Sequence, residues 1–97
     1  MALMKTAVIG SGNMGGAIAR GLVRGAVISA ADLICTARTE ATLGKMKQFD
    51  SEISVTTDNA RAAAQADILI LAVKPWLAEE VISGIRHVLR PGAQTIV

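Results

Sequence analysis

The chain has 97 residues, 52% of them apolar and 19% charged, which is enough for one small domain and too apolar for disorder. One Phe, one Trp and no Tyr argue against a nucleic-acid surface built on base stacking, and ten scattered basic residues with a net charge of +2 call for no phosphate-backbone partner. The single cysteine, Cys35, makes neither a disulfide framework nor a zinc set, so a reducing, cytoplasmic setting is expected.

No apolar run approaches the ~20 residues that cross a bilayer, and the opening MALMKTAVIG lacks the basic, apolar, small order of a signal peptide. Residues 6–9, TAVI, read as a buried strand. A helix of roughly 12 residues follows, with Met14, Ala17, Ile18, Gly21 and Leu22 on one face, Arg20, Val23 and Arg24 off it, and Gly25 placed to end it. Residues 32–37, DLICTA, form a second buried strand with Cys35 as packed core. Thr39 is positioned to cap a helix over residues 40–49, with Leu43 and Met46 facing inward. Residues 52–55 are a short strand with Ile53 and Val55 on one face, and Asp58 caps a short Ala-rich helix. Residues 67–73, DILILAV, are apolar on both faces, as a central parallel strand requires. After Pro75 a helix carries Val81, Ile82, Ile85, Val88 and Leu89 on one side, with His87 off that side and solvated. A turn at 90–92 and a strand beginning at 94 close the chain. This alternation predicts a three-layer α/β/α domain, a Rossmann-type doubly wound parallel sheet comprising the cofactor half alone.

Gly10, Gly12 and Gly15 lie between the first strand and the first helix, with another strand within ~30 residues. Gly-rich turns are common, but here strand, turn and helix stand in the order a dinucleotide site demands. Gly10 permits the tight turn, Gly12 lets a pyrophosphate approach the main chain, and Gly15 lets the helix pack closely. The helix N-terminus offers N–H groups and partial positive charge to the phosphates. A tight turn that binds nothing is the plain alternative.

An NAD site usually ends its second strand in Asp or Glu, ~20 residues past the motif, to grip the ribose 2′-hydroxyl. Here that strand ends Thr36-Ala37-Arg38-Thr39. A guanidinium with neighbouring hydroxyls suits a 2′-phosphate, which points to NADP(H) rather than NAD(H); otherwise Arg38 is a solvated surface arginine. The segment Ala72-Val73-Lys74-Pro75 follows the fourth strand and should border the nicotinamide half. Lys74 is suited to a ribose hydroxyl or a substrate carboxylate, or is simply solvated. Asn59 either reaches the cofactor or joins Asp58 in capping. Trp76 lies beside the nicotinamide region or in an interface.

Together, VIGSGNMGGAIARGL and VTTDNARAAAQADILILAVKP resemble the N-terminal half of pyrroline-5-carboxylate reductases, from about Lys5 to Val97. The resemblance implies that Ile9, Gly10, Ser11, Gly12, Asn13 and Met14 form the pyrophosphate loop. It places Ala37 and Arg38 at the 2′-phosphate, Asn59 against the cofactor, and Ala72, Val73, Lys74 and Pro75 along the nicotinamide ribose. The implied reaction transfers a hydride from NADPH to the C=N carbon of 1-pyrroline-5-carboxylate, giving L-proline in a homo-oligomeric enzyme. The family's helical domain, which carries dimerisation and the pocket for the cyclic imine carboxylate, has no counterpart in these residues. The chain by itself is therefore expected to bind nucleotide and turn over little, and no catalytic residue and no metal ligand is assigned. The opening IGxGNMG also occurs in deazaflavin-dependent NADP reductases and 3-hydroxyacid dehydrogenases, against which TTDN with AVKP argues. A non-catalytic nucleotide-sensing module keeps the same fold.

Overall fold

Thr6–Ile9 is buried along its whole length and forms β1; small and β-branched side chains suit a strand covered on both faces. The computed structural model describes residues 5–10, 12–90 and 94–96, and of Asn13 the backbone alone. After β1 come α1 (Asn13–Arg24), β2 (Leu33–Thr36), α2 (Glu40–Phe49), β3 (Ser54–Thr56), α3 (Asn59–Gln65), β4 (Ile68–Leu71), α4 (Pro75–Ile85) and β5 (Thr95–Ile96). The strands pair in parallel in the order β3-β2-β1-β4-β5. The expected Rossmann-type, doubly wound α/β fold is therefore observed. The ends of the predicted turn and last strand, Pro91, Gly92 and Val97, lie outside the described residues.

Alternation along the strands sorts the core into two layers. Ala7, Ile9, Ile34 and Leu69 point to one face, where Ala62, Ala63 and Ala66 around α3 and Ile85 of α4 cover them. Val8, Leu33 and Cys35 point to the other, against Ala19 of α1, Met46 of α2 and Ile53. Cys35 is packed core, as expected. Thr39 caps α2, accepting from the Thr42 N–H at 3.3 Å, and Asp58 caps α3 through the N–H groups of Ala60 and Arg61.

The inward face of α1 differs from the expected one. Met14, Ala17 and Gly21 are exposed, whereas Gly15, Gly16 and Ala19 are buried and Val23 packs on the core. The helix sits on the sheet by its smallest residues, and Gly15 lies against the Gly10 carbonyl. Counting apolar side chains underrates a glycine contact, so the expected face was rotated toward Met14. In α4, Val81, Ile85, Val88 and Leu89 pack as expected, but Ile82 is 37% exposed. The α-helix ends at Ile85, and a short 3-10 turn over Arg86–Val88 brings Val88 back to the core.

The end of α1 also departs from a simple glycine stop. Gly25 is the C-cap at φ −79°, and the left-handed residue is Ala26 at φ +55°. Ala26 N–H donates to the Val23 carbonyl at 3.1 Å and Val27 N–H to that of Leu22 at 3.0 Å. That pair of bonds is a Schellman closure, with alanine where glycine is usual.

Candidate functional site

Parallel strands bring all their carboxyl ends to one edge of the sheet. β1 lies where the crossovers change direction, with β2 on one side and β4 on the other. A crevice forms outside the strand ends at that point in doubly wound sheets. Here a cavity of about 860 Å³ opens there, bordered by Ile9, Gly10, Gly12, Thr36, Asn59 and Ala72 among others.

The glycine turn forms its floor. Gly10 leaves β1 at φ +93°, and a Cβ there would lie 2.8 Å from Val73 Cγ1 and 3.0 Å from the Ala72 carbonyl oxygen. Its N–H donates to Thr36 Oγ1 at 3.1 Å. A Cβ on Gly15 would collide with the Gly10 carbonyl oxygen. Gly12 is different, because among the described residues, its chain neighbours aside, nothing lies within 4 Å of where its Cβ would stand. Two glycines are thus demanded by the protein's own packing, while the third faces open space beside the first turn of α1. That turn holds no acidic residue, so its N–H groups and partial positive charge are left uncancelled.

Arg38 and Lys74 also border the cavity, and no Asp or Glu does so among the described residues. Lys74 Nζ stands 5.3 Å from the centre of the Trp76 ring, and Trp76 is 73% exposed. Volume, glycine floor, helix terminus and two cations fit a dinucleotide carrying several phosphates. Among the described residues no cluster of His, Cys, Asp and Glu gathers as a metal set, and no helix is long and apolar enough to cross a membrane.

Met14, Ala37, Thr39 and Val73 border the same cavity. Thr39 also shares its hydroxyl with that of Thr42, 3.0 Å away. Gly15 lies behind the loop and Pro75 is the first residue of α4, outside the lining. Ser11 and the side chain of Asn13 lie outside the described residues. Trp76 borders the cavity too, and four residues not expected there also line it: Thr42, Thr57, Leu77 and Val81. Thr57 was within reach of the rule that ligands sit beyond strand ends, and Thr42 stands one helical turn after Thr39. Leu77 and Val81 carried only a core signal.

A glycine turn at the switch point of a 3-2-1-4-5 parallel sheet defines a dinucleotide-binding domain of the Rossmann class. The chain belongs to the family described as NADP oxidoreductase, coenzyme F420-dependent, whose model matches residues 5–96. Over 77 residues it is 42% identical to a pyrroline-5-carboxylate reductase of Vibrio alginolyticus, covering 79% of this chain and 28% of that protein. The solved pyrroline-5-carboxylate reductase of Coxiella burnetii superposes with a TM-score of 0.87 at 26% identity, over 98% of this chain and 34% of the other. A pyrroline carboxylate reductase of Plasmodium falciparum, solved with NADP bound, gives a TM-score of 0.77 at 24% identity, over 96% of this chain and 32% of the other, and supports the fold. The resemblance read from the sequence is thereby borne out. The chain spans between about a seventh and a third of the length of the curated relatives it matches.

Proposed function

We propose that this chain is the nucleotide-binding part of a pyrroline-5-carboxylate reductase and that it takes NADPH in preference to NADH. The observation that carries the reading is the open position at Gly12, beside the first turn of α1 and in the same cavity as Arg38. In this reading the backbone at Gly12 and the first N–H groups of α1 receive the pyrophosphate. Arg38 meets the 2′-phosphate, where a forked guanidinium gives paired, charge-assisted hydrogen bonds. Ala72, Val73, Lys74 and Asn59 line the remaining length of the nucleotide. NADPH, when bound, supplies the hydride that reduces a cyclic C=N carbon.

The first two relatives are each about three times as long as this chain. The groups that hold the imine and its carboxylate are assigned to the part of such a protein outside these 97 residues. Hydride transfer needs both reactants held in line, so the chain alone binds nucleotide with little or no turnover. A cytoplasmic homo-oligomer completes the proposal. The family's description favours one second reading, a reductase whose electron partner is a deazaflavin; it shares the nucleotide site and differs in substrate.

The test is a titration of this chain with NADPH and NADH, followed by quenching of Trp76 and energy transfer to the reduced nicotinamide. NADPH should bind about tenfold or more tightly than NADH, and Arg38→Ala should remove that margin while leaving NADH affinity within about twofold. A folded chain that binds both equally would overturn the preference, and one that binds neither would overturn the site.

A further inference from the structure

We infer that Thr36 is a positioning residue: its hydroxyl holds the glycine loop in the shape that receives phosphate, and it does not itself read the 2′-phosphate. The inference rests on the dinucleotide reading above and divides the labour within it.

Thr36 is the last residue of β2 and is fully buried. Its Oγ1 accepts the Gly10 N–H at 3.1 Å, across 26 residues of sequence. On its other side, Gly10 lies so close to Val73 and the Ala72 carbonyl that no Cβ fits. The first turn of the loop is therefore clamped between a hydroxyl from β2 and the backbone that follows β4. The Gly10 N–H, being spent on Thr36, is not one of the donors offered to phosphate. Thr6 supplies the contrast: it is as deeply buried in β1, yet among the described residues its hydroxyl has no partner. Burial of a threonine in this sheet does not by itself produce such a bond.

The same accounting separates the three residues expected at the 2′-phosphate. The Thr36 hydroxyl is held by Gly10, and the Thr39 hydroxyl is engaged with Thr42 at the start of α2. Among the described residues, Arg38 alone of the three is exposed with no cap or turn bond to its polar group. Affinity for the shared phosphates and discrimination between the two nucleotides should then depend on different residues. Thr36 governs the first and Arg38 the second.

Thr36→Val keeps the branched shape and removes the acceptor, leaving the Gly10 N–H unpaired. Thr36→Ser keeps the hydroxyl. Dissociation constants for NADPH, NADH and ADP would be measured on wild type and both variants, with amide NMR of Gly10. Valine should weaken all three ligands by a similar factor of about ten, with the NADPH to NADH ratio unchanged within about twofold. Serine should return affinity to within about threefold of wild type, and the Gly10 amide proton should move upfield only in the valine variant. A loss confined to NADPH would make Thr36 a reader of the 2′-phosphate and overturn the inference. Unchanged affinity, or a serine variant as weak as valine, would overturn it too. Should valine prevent folding, hydrogen exchange of the wild-type Gly10 amide decides, and an unprotected amide refutes the clamp. If wild type binds no nucleotide, the dinucleotide reading falls and this inference with it; if wild type binds and the valine variant matches it, only this inference falls.

Discussion

A methyl group added at Gly15 meets the Gly10 backbone, whereas one added at Gly12 meets none of the described residues beyond its chain neighbours. The two positions, three residues apart, should therefore fail in different ways. Gly15→Ala forces the loop away from the helix and should lower stability by about 1–3 kcal/mol, measured by urea unfolding. Gly12→Ala should leave stability within about 1 kcal/mol of wild type and, on the proposed reading in which phosphate approaches the main chain there, still weaken NADPH and NADH together. Equal destabilisation by both substitutions would refute this division. The spacing of the three glycines was plain in the sequence, but which of them face protein and which faces the open cavity was not. That depends on Val73 and Ala72, which approach Gly10 from the far end of the chain. For the same reason Thr36 read as a hydroxyl near a phosphate and not as a partner for Gly10.

At the scale of single elements, helix starts were more legible than helix ends. Thr39 and Asp58 cap where their side-chain chemistry says they should, because a cap is a local hydrogen bond. The end of α1 is less regular, with Gly25 one residue early and Ala26 in the left-handed region. A Cβ in that conformation costs about 1–2 kcal/mol. Ala26→Gly should recover about 0.5–1 kcal/mol of it after the added freedom of the unfolded chain is counted. Thermal unfolding would check this, and a lower midpoint would contradict the Schellman geometry. The inward face of α1 was misread because its closest contact with the sheet is made by glycine, which contributes nothing to an apolar pattern. Ile82 was placed on the buried face partly by its seven-residue spacing to Leu89, and that spacing is not helical because Leu89 lies beyond the tighter turn that begins at Arg86.

For the whole molecule, the doubly wound parallel sheet followed from the alternation of elements and the preference for right-handed crossovers. The cavity did not, because its walls are drawn from residues as distant as Ile9 and Val81. β1 carries the loop, yet it is braced by β2 on one side and β4 on the other. Thr6 pairs with Ile68, and the Lys5 N–H reaches the Asp67 carboxylate across 62 residues. This separation has a kinetic consequence. Parallel pairing over such a distance must first close a long loop, which makes it a late and slow event. The glycine turn lacks its Val73 and Ala72 wall until that event has occurred. In stopped-flow refolding with NADPH present, the nucleotide signal should appear no earlier than the slowest folding phase, after helical circular dichroism has begun to return. A binding signal preceding that phase would show that the loop takes its shape without β4. During synthesis, likewise, the phosphate cradle would exist only once residues beyond Val73 have emerged, so the chain has no partly made form that competes for nucleotide.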